Sequence, residues 1–107
     1  MPVDASVESF SELTANGAVV VDFWGPRCQP CLALMPQVEE LEKEHENAVK
    51  VVKVNATEQR KICRELRVLS LPTFVFMKDG KEVMERLTGD GVSVDDLRRS
   101  FSSLIEA

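Results

Sequence analysis

Apolar positions along this chain fall into two rhythms, unbroken runs of strand length and stripes at helical spacing, and their order predicts an α/β architecture. Val7, Phe10 and Leu13 predict a first helix from about Ser6 to Ala15, ended by Asn16-Gly17. The run from Ala18 to Trp24 follows, interrupted only by Asp22, and suits a central strand covered on both faces. From Cys28 to about His45, Leu34, Met35, Val38 and Leu41 recur at helical spacing, and Pro36 is expected to kink that helix. Val49 to Val54 reads as a second strand, and Thr57 is expected to cap a short helix carrying Ile62, Cys63 and Leu66 inward. Thr73 to Met77 and Glu82 to Leu87 read as two more strands, joined through the Asp79-Gly80 pair, a strong hairpin signal. Ser93 to Asp96 has the form of a capping box, opening a last helix with Val94, Leu97, Phe101, Leu104 and Ile105 as its buried stripe.

The order is thus helix, strand, helix, strand, helix, hairpin, helix. Its first half is a βαβ unit, which needs a right-handed crossover, and the hairpin adds antiparallel strands to the same sheet. A mixed central sheet with helices on both faces is the expected fold.

Composition narrows the function. The 107 residues are expected to form one domain, 1–107, with no repeat, linker or room for a separate cofactor domain. A net charge of −5 argues against nucleic acid as a partner, since a binder needs a basic face for phosphates. No stretch is long and apolar enough to anchor in a membrane, and the first residues lack a basic segment followed by an apolar run. A cytoplasmic, reducing compartment is therefore expected. Three cysteines are too few for a structural disulfide framework.

Two of them form Cys28-Gln29-Pro30-Cys31, at the junction of a buried strand and a helix start. A helix N-terminus offers unpaired N–H groups and a positive dipole end, which favour thiolate over thiol, and the thiolate is the species that attacks disulfides. Cys28, nearer the loop, is the expected nucleophile. Cys31, about one turn further on, is placed to attack the resulting mixed disulfide, and Pro30 costs little in the first turn. A pair of this spacing also matches half of a zinc site. Zinc needs two more ligands, and only Cys63 and His45 remain, on different elements without the usual spacing, so no metal is expected.

Further motifs widen the comparison. Val21-Asp22-Phe23-Trp24-Gly25-Pro26-Arg27-Cys28-Gln29-Pro30-Cys31 resembles the active-site segment of the thioredoxin family, which usually ends in Trp-Cys-Gly-Pro-Cys. Leu71-Pro72-Thr73 resembles that family's cis-proline loop, Lys78-Asp79-Gly80 its hairpin, and Thr88-Gly89 its glycine beside the active site. The resemblance runs from about Val7 to Ile105 and implies the thioredoxin fold.

The resemblance also implies roles. Asp22 would be the buried carboxylate beneath Cys31, taking its proton through a water. An acid inside an apolar strand is costly when ionised, so burial should raise its pKa. Lys53 would approach that acid. Trp24, Gly25, Pro26, Arg27, Leu71, Pro72 and Gly89 would form the docking surface, with Pro72 cis and the Leu71 backbone pairing with a substrate peptide. Gly89 would allow close backbone approach. The implied activity is reduction of disulfides in target proteins by a monomer without bound cofactor, recycled by a thioredoxin reductase or an equivalent electron donor.

The chain departs from the family pattern at several points. Arg27 stands where tryptophan usually precedes the nucleophile, Gln29 replaces the usual glycine, and Leu32 replaces a common basic residue. Arg27 should favour the Cys28 thiolate, while Gln29 supplies no charge to it. The family's first strand is expected to be trimmed or missing. Cys63 is expected to be buried and inert, His45 to sit favourably at a helix C-terminus, and Glu39 to Glu44 to form a solvated face. Two other readings remain open, an oxidase or isomerase of an oxidising compartment and a binding module without turnover.

Overall fold

A computed structural model describes residues 1–107. Its elements are β1 (Val3–Asp4), α1 (Val7–Leu13), β2 (Ala18–Trp24), α2 (Gln29–Glu44), β3 (Lys50–Asn55), α3 (Arg60–Glu65), β4 (Thr73–Lys78), β5 (Lys81–Glu82), β6 (Leu87–Thr88) and α4 (Val94–Glu106). The sheet runs β1-β3-β2-β4-β5, with β6 also pairing β4. β1, β3 and β2 are parallel, and β4 turns antiparallel against β2. The result is the expected architecture, a mixed central sheet with helices on both faces.

Alternation in β2 explains the two layers. Val20 points to one face, where Leu34, Val38 and Leu41 of α2 pack with Leu97, Phe101 and Leu104 of α4. Val19, Val21 and Phe23 point to the other, under Phe10 and Leu13 of α1 and Ile62 of α3. Because β2 is covered on both sides, it is apolar at almost every position, and Asp22 is the exception inside it.

The first strand is short, in keeping with the trimmed strand expected: β1 is two residues alongside Val52 and Lys53. Several local expectations change. Thr57 does not cap α3: Gln59 holds that place without a side-chain bond, and the Thr57 amide donates to Asn55 Oδ1 instead. The strand expected over Glu82–Leu87 splits into β5 and β6, because Met77 pairs Glu82 while Phe74 pairs Leu87. Two residues of β4 thus face four of the returning chain, a bulge that turns Arg86 toward the carbonyls of Leu66 and Arg67. Glu42 leaves the solvated face altogether. It is 5% exposed and accepts the Val51 amide at 2.7 Å. No helix is long and apolar enough to cross a membrane.

Candidate active site

Cys28 is the N-cap of α2, with extended backbone, and Cys31 lies in the first turn beside Pro30. The two are joined by a disulfide with Cα atoms 5.2 Å apart. They differ in access: Cys28 is half-buried, whereas Cys31 is 2% exposed. The Cys31 amide donates to Cys28 Sγ at 3.3 Å, one of the helix's orphan N–H groups turned onto that sulfur. In the reduced form the same amide would stabilise a thiolate at Cys28. Arg27 and Gln29 flank it, both exposed, and Pro26 is exposed ahead of them.

Asp22 lies in the middle of β2, 2% exposed, on the face that α2 covers. Burial pushes its pKa from 3.8 up to about 7, against a smaller opposing pull from the Lys53 charge. Lys53 is its partner in the parallel register. The ammonium nevertheless forms no ion pair with Asp22 within 4.0 Å. It lies 3.8 Å from Asp4 Oδ1 and 5.3 Å from the centre of the Trp24 ring. Trp24 Nε1 is buried without a hydrogen-bond partner, so packing and the Lys53 cation hold the indole in place.

The Leu71–Pro72 peptide bond is cis, Pro72 is buried and Leu71 half-buried. A Cβ on Gly25 would stand 3.2 Å from Leu71 Cδ1, so the segment before the cysteines and the proline loop close on one another at a position that suits glycine. Gly89 has a φ of +97°, which favours glycine, and its amide donates to the Pro72 carbonyl at 2.9 Å. The same loop is tied by hydroxyls that the sequence did not single out. Thr73 Oγ1 donates to the Ser70 carbonyl at 2.7 Å and lies 2.8 Å from Thr88 Oγ1, which is 2.9 Å from Ser70 Oγ. Register brings Thr73 opposite Thr88, a pairing that short-range pattern does not reveal.

Cys63 stands apart from this group. It is free and half-buried rather than fully buried, and desolvation pushes its thiol pKa up. His45 caps the C-terminus of α2, its ring centre 6.3 Å from that of Phe101. No cluster of metal-ligating side chains forms anywhere in the chain.

A family model described as Thioredoxin matches residues 2–102. Over 87 residues the chain is 40% identical to the thioredoxin of Bacillus subtilis (strain 168), a match spanning 81% of this chain and 83% of that one. Over 83 residues it is 37% identical to the thioredoxin of Acetoanaerobium sticklandii, spanning 78% and 79%. Thioredoxin Asp f 28 of Aspergillus fumigatus is 35% identical over 95 residues, spanning 88% and 87%.

Proposed function

Because the chain belongs to the thioredoxin family and is a thiol–disulfide oxidoreductase, we propose that Cys28 is its attacking sulfur and Cys31 its resolving one. The observation that carries this division is the unequal access of two bonded sulfurs at one helix N-terminus. In the reduced protein, Cys28 thiolate attacks one sulfur of a target disulfide. A mixed disulfide forms, and the target's other sulfur leaves as a thiolate that takes up a proton. Cys31 then gives up its proton and attacks Cys28 Sγ. The second target thiolate leaves, and Cys28–Cys31 remains as a disulfide. Two electrons have passed to the target.

Asp22 is the proton acceptor in this reading. A carboxyl titrating at about 7 can take a proton from a thiol and return it near neutral pH, which an ordinary carboxylate does poorly. Burial raises that value, and the Lys53 charge on the neighbouring strand partly lowers it. Targets dock over Trp24, Gly25, Pro26 and Arg27 on one side and Leu71, Pro72 and Gly89 on the other, with the Leu71 backbone pairing to the peptide as an added strand. Gln29 and Pro30 shape the turn between the sulfurs.

The family acts on disulfide-containing proteins and is recycled by a reductase. For this chain we assign the reducing direction, a thioredoxin reductase or equivalent donor, a cytoplasmic setting and a monomer. Arg27 and Gln29 make the Cys-Gln-Pro-Cys site atypical. Arg27 adds positive charge beside Cys28 where the family usually has a flat apolar ring, which alters partner choice.

Insulin reduction tests the assignment. Cys28→Ser should fall to the background rate, and Cys31→Ser should accumulate mixed disulfides with its substrates. Full insulin turnover by Cys28→Ser would overturn it.

A further inference from the structure

Helix α3 and the turn after it carry Arg60, Lys61, Arg64 and Arg67 against a single acid, Glu65, in a chain whose net charge is −5. None of these four cations pairs with an acid of the chain, although three other arginines do. Arg60 and Arg64 are four residues apart, hence on one side of the helix. They line a groove of about 350 Å³ together with Cys63, Val68, Leu69 and Leu71, and no acidic side chain lines it. Leu69 is 95% exposed, the fullest exposure of any large apolar side chain after Met1. Leu71 joins this groove to the redox site, since it also closes over Gly25.

An exposed leucine that shares a groove with two arginines pairing with no acid, continuous through Leu71 with the redox site, has a definite complement. We propose that this groove docks the stretch of target protein flanking the disulfide, and that it selects stretches carrying acidic residues beside an apolar anchor. The proposal rests on the reading of Cys28 and Leu71 given above and adds a preference to it. The anchor covers Leu69 and Val68, and the carboxylates meet Arg60 and Arg64. Arg guanidinium suits this role because its fork bonds carboxylate in bidentate fashion. A second copy of this chain, offering the acidic face of α2, is the competing occupant.

Two synthetic peptides test it, each holding one intramolecular disulfide next to a leucine, followed by four glutamates in one and four serines in the other. Steady-state reduction of each gives a KM, and the ratio of the two values within one protein removes effects common to both. The native protein should show a KM about three- to tenfold lower for the glutamate peptide at low salt, with the advantage shrinking as salt screens the pairs. Arg60→Gln/Arg64→Gln should bring the ratio close to one, and Arg60→Glu/Arg64→Glu should invert it. Leu69→Ser should raise KM for both peptides together.

Equal KM values in the native protein would overturn the proposal, as would a preference that survives both double variants. Concentration-dependent dimerisation that the double variants abolish, with peptide ratios unmoved, would assign the groove to a second copy instead. Hydroxyethyl disulfide, small and uncharged, separates the two layers of the argument. If the native protein fails to reduce it, the redox reading itself falls and the preference with it.

Discussion

Asp22 and Lys53 are register partners on adjacent parallel strands, yet the lysine's ammonium lies beside Asp4 and the Trp24 ring rather than in contact with the Asp22 carboxyl. Asp4 is the register partner of Lys53 on its other side. An exposed acid, a half-buried base and a buried acid therefore stand in one row across three strands. Partners in register project to the same face, so the cation is shared between an acid that water solvates and one that it does not. The result is a carboxyl whose desolvation is only partly offset.

That imbalance is a cost to folding with a definite pH range. In the unfolded chain Asp22 loses its proton near 3.8, whereas in the folded protein it keeps it to about 7. Between those values the folded state binds the extra proton, so stability falls as pH rises through the window and levels off above it. The span corresponds to about 4 kcal/mol at order of magnitude. Asp22→Asn should therefore be more stable than the native protein at pH 8, by up to about 4 kcal/mol, with the difference shrinking toward pH 4. Urea midpoints at the two pH values check this, and a difference independent of pH would show that ionisation is not the cause.

Lys53→Met removes the positive charge that partly opposes the desolvation of Asp22. The Asp22 pKa should rise above its present value of about 7. Asp4→Asn should act in the opposite sense, because it frees Lys53 from its competing acid. Carboxyl chemical shifts of Asp22 followed against pH would read both. Cys31-dependent resolution should shift its pH profile in the same two directions.

Long periodic segments were readable in the sequence for a physical reason. β2 and α4 bury residues at the period of their own backbone, so Ala18–Trp24 and the stripe through Leu97, Phe101 and Leu104 appear without knowledge of neighbours. The Asp79-Gly80 turn and the Ser93 capping box are equally local. What escaped was set by distant partners. Two residues of β1 carry no period. Arg86 breaks the returning strand through carbonyls some twenty positions earlier. The hydroxyl cluster of Ser70, Thr73 and Thr88 exists only once β6 lies against β4. At the active site, the cysteines and Asp22 announced themselves by type, but the sharing of Lys53 with Asp4 needed the sheet order.

Glu42 illustrates the same lesson and is open to a stability measurement. Its Oε2 accepts the amide of Val51, a residue with no exposed surface in β3. Glu42→Ala should leave that N–H unsatisfied and cost about 1.5–3 kcal/mol, the range for hydrogen bonds to charged groups. Glu42→Gln keeps an acceptor and should cost less. Chemical denaturation would rank the two. Equal losses would mean that the charge, and not the bond to Val51, is what matters.

Gly25 and Leu71 offer a direct check on the docking surface. Gly25 is buried, and an added Cβ would meet a terminal methyl of Leu71 at 3.2 Å. Alanine needs that methyl to give way by only a few tenths of an ångström, and a leucine side chain can do so. Gly25→Ala should thus alter KM for insulin by less than about twofold. Valine adds two methyls where the leucine already sits, forcing Leu71 and the loop it belongs to away from the cysteines. Gly25→Val should raise the KM for insulin by about tenfold, since small misplacements of a positioning element weaken binding steeply. Denaturation midpoints measured alongside would separate loss of docking from loss of fold. An unchanged KM in a folded Gly25→Val protein would mean that targets do not use the Leu71 backbone, and peptide pairing would have to be sought elsewhere on the surface.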